Sequence, residues 1–262
     1  MAYECLLLEK KEDYAVVTLN RPPANAINSK LMEELDHAMT ELENDSSVRC
    51  IVLTGSGDRF FSAGADIKEM GTGGGVVGDS GGGLLRTHQA LTVRMERYPK
   101  PIIAAINGMA FGGGCELAMS CHLRVAAERA SLGQPEVNLG IIPGYGGTQR
   151  LPRLVGKGKG LEMLLLGTPV KAQEALQIGL VNRVVPDADL MSETGKLAAK
   201  LAKQAPIAVK VIIDAVNRGI ETGIEQGLEI EAEGFVKAFT SQDALEGIMA
   251  FVEKRQPKFQ GK

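Results

Sequence analysis

The sequence predicts an α/β fold, and three observations carry that prediction. Short apolar runs, several of them β-branched, end at glycine-rich turns. Apolar residues at helical spacing follow several of those turns directly. Glycine itself is concentrated, with eleven between Gly55 and Gly83 and twelve between Gly108 and Gly160, out of 32 in the whole chain. Repeated strand–turn–helix units are the sequence form of layered α/β architecture. From residue 161 on, glycine is scarce and the pattern is helical.

The elements follow in order. Cys5–Leu8 and Ala15–Leu19 are short apolar stretches, and the second reads as a strand because of its β-branched content. It stops at Asn20-Arg21-Pro22-Pro23, a turn signal. Ser29 is expected to cap a helix whose Leu31, Leu35, Ala38, Met39 and Leu42 share one face. Cys50–Leu53 reads as a buried strand closed by Thr54-Gly55-Ser56-Gly57. Residues 71–83 are mostly glycine and read as a loop, either a lid or a slack connector. A helix from about Leu84 to Arg97 leads into the strand Ile102–Ile106, a glycine turn, the helix Gly113–Ser120 and the strand Leu123–Ala126. Ala172–Gln177 is a short helix stopped at Gly179, and Leu180–Val185 a strand. Helices are then expected over 187–204, 206–218, 224–239 and 241–253. A helical tail after an α/β body either completes the core or builds a subunit interface, and periodicity does not choose between them.

Composition narrows the function. The 262 residues are ample for a real core. The formal charge of −3 lacks the basic excess of a nucleic-acid binder. No apolar run approaches the roughly 18 residues that span a bilayer. Glu4, Glu9 and Asp13 leave no apolar signal core near the start. Cys5, Cys50, Cys115 and Cys121 lack C-x-x-C spacing, and His37, His88 and His122 are far apart, so no zinc site is expected. The cysteines read as free thiols in a reducing cytoplasm.

Three blocks carry chemistry. Asn107–Ala118 follows a buried strand and opens a helix through Gly112-Gly113-Gly114. A helix start offers unpaired N–H groups and the positive end of a dipole, a setting for developing negative charge. Glu116, in the first helical turn, either answers that dipole or does acid/base work. Phe60–Ile67 contains a second turn of small residues, which is either a tight strand-to-helix connection or the source of a second N–H. Two N–H groups aimed at one point make an oxyanion hole, and losing one donor typically costs about 10²–10³ in rate. Gln134–Gly144 supplies Glu136, the second interesting carboxylate. If the two carboxyl groups meet, one is ionised and the other neutral near pH 7, as an acid/base pair needs.

These blocks resemble the enoyl-CoA hydratase (crotonase) family, the hydratase/isomerase superfamily. The resemblance covers nearly the whole chain, from Asn20-Arg21-Pro22 through 62–66, 107–118, Gln134–Gly144, Gly146–Arg153 and Ala175–Val181 to Phe251–Arg255. It implies a crotonase-like spiral of ββα units, a catalytic domain at 1–195, and a helical C-terminal trimerisation segment at 196–262 that packs into trimers, usually paired as hexamers. It implies oxyanion-hole N–H groups on Ala65 and Gly113, catalytic carboxylates on Glu116 and Glu136, and Gly144 nearby at a helix start. Ala63, Ala65, Asp66, Ile67 and Lys68 match the stretch lining the CoA thioester and nucleotide. Phe251 and Lys254 match tail residues that reach CoA from a neighbouring subunit. The loop from Pro22 to Asn25 is shorter than is usual in the family, and Tyr145 stands where a small residue is common, either narrowing the pocket or simply packing.

The expected reaction is addition of water to a short-chain 2-enoyl-CoA in fatty-acid β-oxidation or a related acyl-CoA degradation. Coenzyme A is then part of the substrate, with no separate cofactor, metal, nucleic acid or membrane involved. The enzymatic alternatives are an enoyl-CoA isomerase and a pathway-specific hydratase of a branched or cyclic acyl group. The non-enzymatic alternative is a CoA- or RNA-binding homologue, against which stands the presence of both glutamates and both expected hole positions.

Overall fold

The computed structural model describes residues 3–71 and 83–262. Apart from its end glycines, the 71–83 stretch read as lid or connector lies outside the described residues. The chain opens with an antiparallel pair, β1 (Leu6–Lys10) and β2 (Tyr14–Leu19), followed by α1 (Ser29–Asn44). Then the same unit recurs. β3 (Cys50–Gly55) and β4 (Phe60–Ser62) precede α2 (Ile67–Gly71) and α3 (Gly83–Glu96). β5 (Ile102–Ile106) and β6 (Met109–Phe111) precede α4 (Gly113–Met119). β7 (Leu123–Ala127) and β8 (Ser131–Gly133) precede a 3₁₀ turn, Pro135–Leu139, and the helices α5 (Gly147–Val155) and α6 (Lys157–Leu166).

In each of the three units after that opening pair the first strand joins one sheet and the second joins another, whereas β1 and β2 lie side by side in the same sheet. The large sheet runs β1-β2-β3-β5-β7-β10, where β10 is Arg183–Val185, and it is parallel from β2 onward. The small sheet runs β4-β6-β8-β9, with β9 (Val170–Lys171) antiparallel at its edge. Successive units therefore step sideways, and the chain winds as a spiral of ββα turns.

The central strands β3 and β5 of the large sheet are buried on both faces, which is why they read as unbroken apolar runs rather than as alternating ones. Ile51, Leu53, Ile102, Ala104 and Ile106 face the main core under α1 and α4. Cys50, Val52, Ile103, Ala105 and Val125 face the other way, onto Leu190, Ala198 and Ala202 of α8 (Leu190–Ala202). The expected boundary at 195/196 thus falls inside a helix that packs on the sheet. After α7 (Ala172–Gln177), β10 and α8 come α9 (Pro206–Gly219), α10 (Ile224–Phe239) and α11 (Gln242–Val252), close to the expected ranges.

Three local expectations change. The N-cap of α1 is Asn28, not Ser29: Asn28 is extended and its side chain accepts from Leu31 N at 2.9 Å. Ser29 is the first helical residue, and its N–H and hydroxyl donate to the Glu69 carboxylate at 3.0 and 2.7 Å. The Leu180–Val185 strand is only three residues long, because Leu180 and Val181 turn back to bond the Ala175 carbonyl instead of a neighbouring strand. The small sheet has no counterpart in the sequence reading, since strands of two or three residues are too short to show a period; α6 has none either, and α5 enters only as the helix start that the resemblance implies near Gly144. No helix among the described residues is long and apolar enough to cross a membrane.

Candidate active site

The site forms where the second strand of each unit ends. β6 stops at Gly112, whose φ of 52° only glycine adopts at low cost. Its N–H donates to Gly133 O at 2.9 Å, which ties the end of β6 to the end of β8. That turn releases the chain into α4, with Gly113 as the first helical residue and Glu116 in the first turn.

Glu116 is 1% exposed. Its Oε1 accepts two backbone N–H groups, from Tyr145 at 2.7 Å and Gly147 at 2.6 Å. Gly147 is the first residue of α5, and Gly146 before it has φ 110°, so the turn aims the free N–H groups of a second helix start at this one carboxylate. Burial pushes the Glu116 carboxyl up to about 7; Glu136 adds to the rise, while the two N–H donors and the Arg150 guanidinium act against it.

Glu136 lies in the 3₁₀ turn after β8, and burial raises its carboxyl as well. A Cβ placed on Gly112 would lie 2.9 Å from Glu136 Oε1, so this carboxyl group sits directly over the start of the helix that carries Glu116. The buried Gln134 amide, with its nitrogen turned to Glu136, donates to both carboxyl oxygens at 3.0 and 3.1 Å. The two carboxylates, twenty residues apart in sequence, are therefore brought together.

The second turn lies beside the first. Ala63 N donates to Ala24 O at 2.9 Å, Gly64 N to Ser62 Oγ at 3.2 Å, and Asp66 N to Ile27 O at 2.7 Å. Ala65 pairs with Ile27 in a parallel bridge. A Cβ placed on Gly64 would lie 3.4 Å from Gly113 N, which measures how close the two turns approach. Among the described residues, neither the Ala65 N–H nor the Gly113 N–H donates to another group. Two free donors and two raised carboxyl groups in one place can stabilise an oxyanion while moving protons on either side of it.

The other expected residues are distributed more widely. Ala63 and Lys68 are exposed beside the second turn, and Ile67 is 62% exposed. Asp66 is held by Arg21, whose Nη2 donates to Oδ2 at 2.6 Å and keeps the carboxyl below its usual range. Gly144 lies before α5, and its carbonyl accepts from Gln89 Nε2 at 2.8 Å. Phe251, at the end of α11, is 86% exposed, and Lys254 is exposed in the turn that follows. In the single chain both face solvent.

The supports of the pair escaped the sequence reading. Gly146–Arg150 was noted only as a block of resemblance, yet it supplies the Gly147 N–H and the Arg150 side chain. Arg150 Nη1 donates to the Tyr145 carbonyl at 2.8 Å, and its Nη2 pairs with Glu96 at 2.9 Å. The available signal was a glycine turn opening a helix, the same one that marked Gly112–Gly114.

The enoyl-CoA hydratase/isomerase family model matches residues 9–262. The short-chain-enoyl-CoA hydratase of Clostridium acetobutylicum is 47% identical over 96% of this chain and 95% of its own length. The crotonyl-CoA hydratase of Syntrophomonas wolfei is 46% identical over 99% of each. The crystal structure of an enoyl-CoA hydratase from Bacillus anthracis superposes with a TM-score of 0.91 at 38% identity, covering 99% of this chain and 100% of that one. With its spiral of ββα units, its paired carboxylates and these relatives, the chain belongs to the enoyl-CoA hydratase/isomerase family.

Proposed function

We propose that the chain is an enoyl-CoA hydratase, adding water reversibly and syn to a 2-enoyl-CoA to give a 3-hydroxyacyl-CoA. The observation that carries this is the meeting of Glu116 and Glu136 beside two free N–H groups. Relatives named for this activity support it at 46–47% identity.

In this reading the thioester oxygen sits on the N–H groups of Ala65 and Gly113, which stabilise the enolate as it forms. Glu116, ionised and oriented by two N–H donors, takes a proton from water as the water oxygen bonds Cβ. Glu136, protonated, delivers its proton to Cα. Glu116 and Glu136 then exchange protons with solvent to restore their starting states. Acid/base assistance of this kind is typically worth about 10²–10⁴. The steps use only these groups, with no separate cofactor. Ala63, Asp66, Ile67, Lys68 and Gly144 are assigned to the CoA side of the substrate, and Phe251 and Lys254 to CoA bound in a neighbouring subunit. A trimer, or a hexamer of paired trimers, follows from that assignment. We draw its catalytic body to the end of α8, because α8 packs on the large sheet, and assign the helices beyond it to assembly. A reducing cytoplasm and acyl-CoA degradation such as β-oxidation are the matching setting.

The test is loss of the conjugated-thioester absorbance of crotonyl-CoA. Wild type should hydrate it, and Glu116→Gln and Glu136→Gln should each lower kcat by at least about 10² with acyl-CoA binding largely kept. The double variant should lose less than the product of the single losses, because both groups act in one step. Wild-type turnover in either single variant removes that residue from the mechanism.

A further inference from the structure

We propose that Arg21 is a positioning residue that aims the Ala65 N–H, the loop half of the candidate oxyanion hole. The proposal rests on the hydratase reading and gives a role to the Asn20-Arg21-Pro22 block, which the mechanism leaves unused. The two halves of the hole are built differently. Gly113 heads a helix, and the direction of its N–H follows from α4. Ala65 sits in a turn between β4 and α2, where no regular element fixes its peptide. Its aim comes from Ile27. Ile27 N donates to Gly64 O at 2.8 Å and Asp66 N donates to Ile27 O at 2.7 Å, so Ile27 bonds the peptide on either side of Ala65. In a trans peptide the N–H points opposite to the C=O. With the Gly64 carbonyl turned to Ile27, the Ala65 N–H points away from Ile27 and is left free for the site.

Arg21 clips the two arms of that bridge together. Its Nη1 donates to Ala26 O at 3.0 Å and its Nη2 to Asp66 Oδ2 at 2.6 Å. One planar fork thus joins the residue before Ile27 to the residue after Ala65, which the single ammonium of a lysine does not reproduce. The Asp66 carboxylate thereby has a role inside the protein, beside the place of Asp66 in the stretch assigned to CoA. Arg21 is itself anchored. Its N–H donates to Asn25 Oδ1 at 3.2 Å, and its carbonyl accepts from Asn25 N at 2.9 Å. Asn25 is 1% exposed, and its φ of 50° is a left-handed conformation that asparagine adopts more readily than most residues. Its Nδ2 donates to the carbonyls of Ser56 and Phe60, both at 3.1 Å, which seats the loop on the β3–β4 connection. Its own carbonyl accepts from Ser62 Oγ at 2.7 Å, and that hydroxyl accepts from Gly64 N at 3.2 Å. The fork therefore has a fixed base, and what it fixes in turn is the Ala65 peptide. An oxyanion hole works through donors already in place, so a loosened Ala65 peptide stabilises the enolate less.

The experiment pairs kinetics on crotonyl-CoA with the carbonyl stretching frequency of bound, carbonyl-labelled butyryl-CoA, a saturated thioester with no double bond to hydrate. Wild type should lower that frequency below the value of the free thioester. Arg21→Met keeps the apolar stem and removes the fork. It should lower the frequency less and reduce kcat about tenfold, short of the roughly 10²–10³ that outright loss of a donor costs, with KM changed by less than about threefold. Arg21→Lys should lie between the two. A lower Tm in Arg21→Met, with kcat of the folded enzyme and the carbonyl frequency both at wild-type values, is the mark of a merely structural ion pair and overturns the proposal. Should Arg21→Met fail to fold, Arg21→Lys decides in its place, wild-type kcat and frequency overturning the proposal. A wild type that leaves the frequency of bound butyryl-CoA unchanged overturns the oxyanion hole, and this proposal with it. A wild type that lowers the frequency but hydrates no enoyl-CoA overturns the hydratase reading alone, and the frequency in Arg21→Met then decides the role of Arg21.

Discussion

Glu116 is buried almost completely and yet accepts two backbone N–H groups, and the balance between those facts sets the pH at which the site works. Burial wins, placing its carboxyl near 7. A base must be ionised, so kcat/KM for crotonyl-CoA should fall as pH drops below about 7, an acid limb that a pH–rate profile will show. Stability should move the opposite way. The folded value of about 7 lies above the ordinary 4.5, so between those pH values the folded chain holds a proton that the unfolded chain has released. This group's contribution is therefore fully present below pH 4.5 and is lost as pH rises through 7. Thermal unfolding from pH 5 to 8 should show it as a decline in Tm that Glu116→Gln flattens. An equal decline in the variant would assign the effect to other groups.

The turn before α5 is the element that makes Glu116 usable, and Arg150 holds that turn. The guanidinium is buried, donates to the Tyr145 carbonyl and is anchored by Glu96. It touches no reacting atom in the proposed mechanism, so it is a positioning residue. Arg150→Met should loosen the turn, weaken both N–H bonds to Glu116 and remove a nearby positive charge. Each change disfavours the carboxylate. We expect kcat to fall about tenfold or more, KM for crotonyl-CoA to change little, and the acid limb to move to higher pH. A kcat loss with an unmoved acid limb would reduce Arg150 to a general structural role. This turn also shows where sequence reading stops at the element scale. Its glycines are an available mark of a helix start, but they do not say which carboxylate the free N–H groups would find.

At the scale of the whole molecule, the tail leaves a large apolar surface uncovered. Ile220, Ile224, Leu228, Phe235, Phe239 and Phe251 on α9–α11 and the turns beside them are all more than half exposed, and Phe235 stacks on Phe239 with centroids 5.4 Å apart. A patch of that kind marks an association surface. In solution the chain should form a closed homo-oligomer, a trimer or a hexamer. Light scattering at micromolar concentration should give three or six times the chain mass, and Phe235→Glu should lower it. A wild-type monomer would remove both the trimer and the assignment of Phe251 and Lys254 to a neighbour's CoA.

By itself the sequence determined the alternation of elements and pointed to the two carboxylates proposed as the reacting groups. Unbroken apolar runs such as Ile102–Ile106 mark strands covered on both faces, and Leu31, Leu35 and Leu42 mark the buried side of α1, because burial acts on each residue through local periodicity. Glu116 and Glu136 stood out because a carboxylate beside a glycine turn is chemically conspicuous wherever the chain goes. Only the tertiary structure decided that they meet, that a turn some thirty residues beyond Glu116 donates to it, and that Tyr145 bonds His88 across 57 residues. The small sheet belongs there too, since strands of two or three residues are held by their neighbours and not by their own pattern. Propensity and periodicity are properties of adjacent residues, whereas a hydrogen bond between distant segments exists only once the core has fixed where each segment lies.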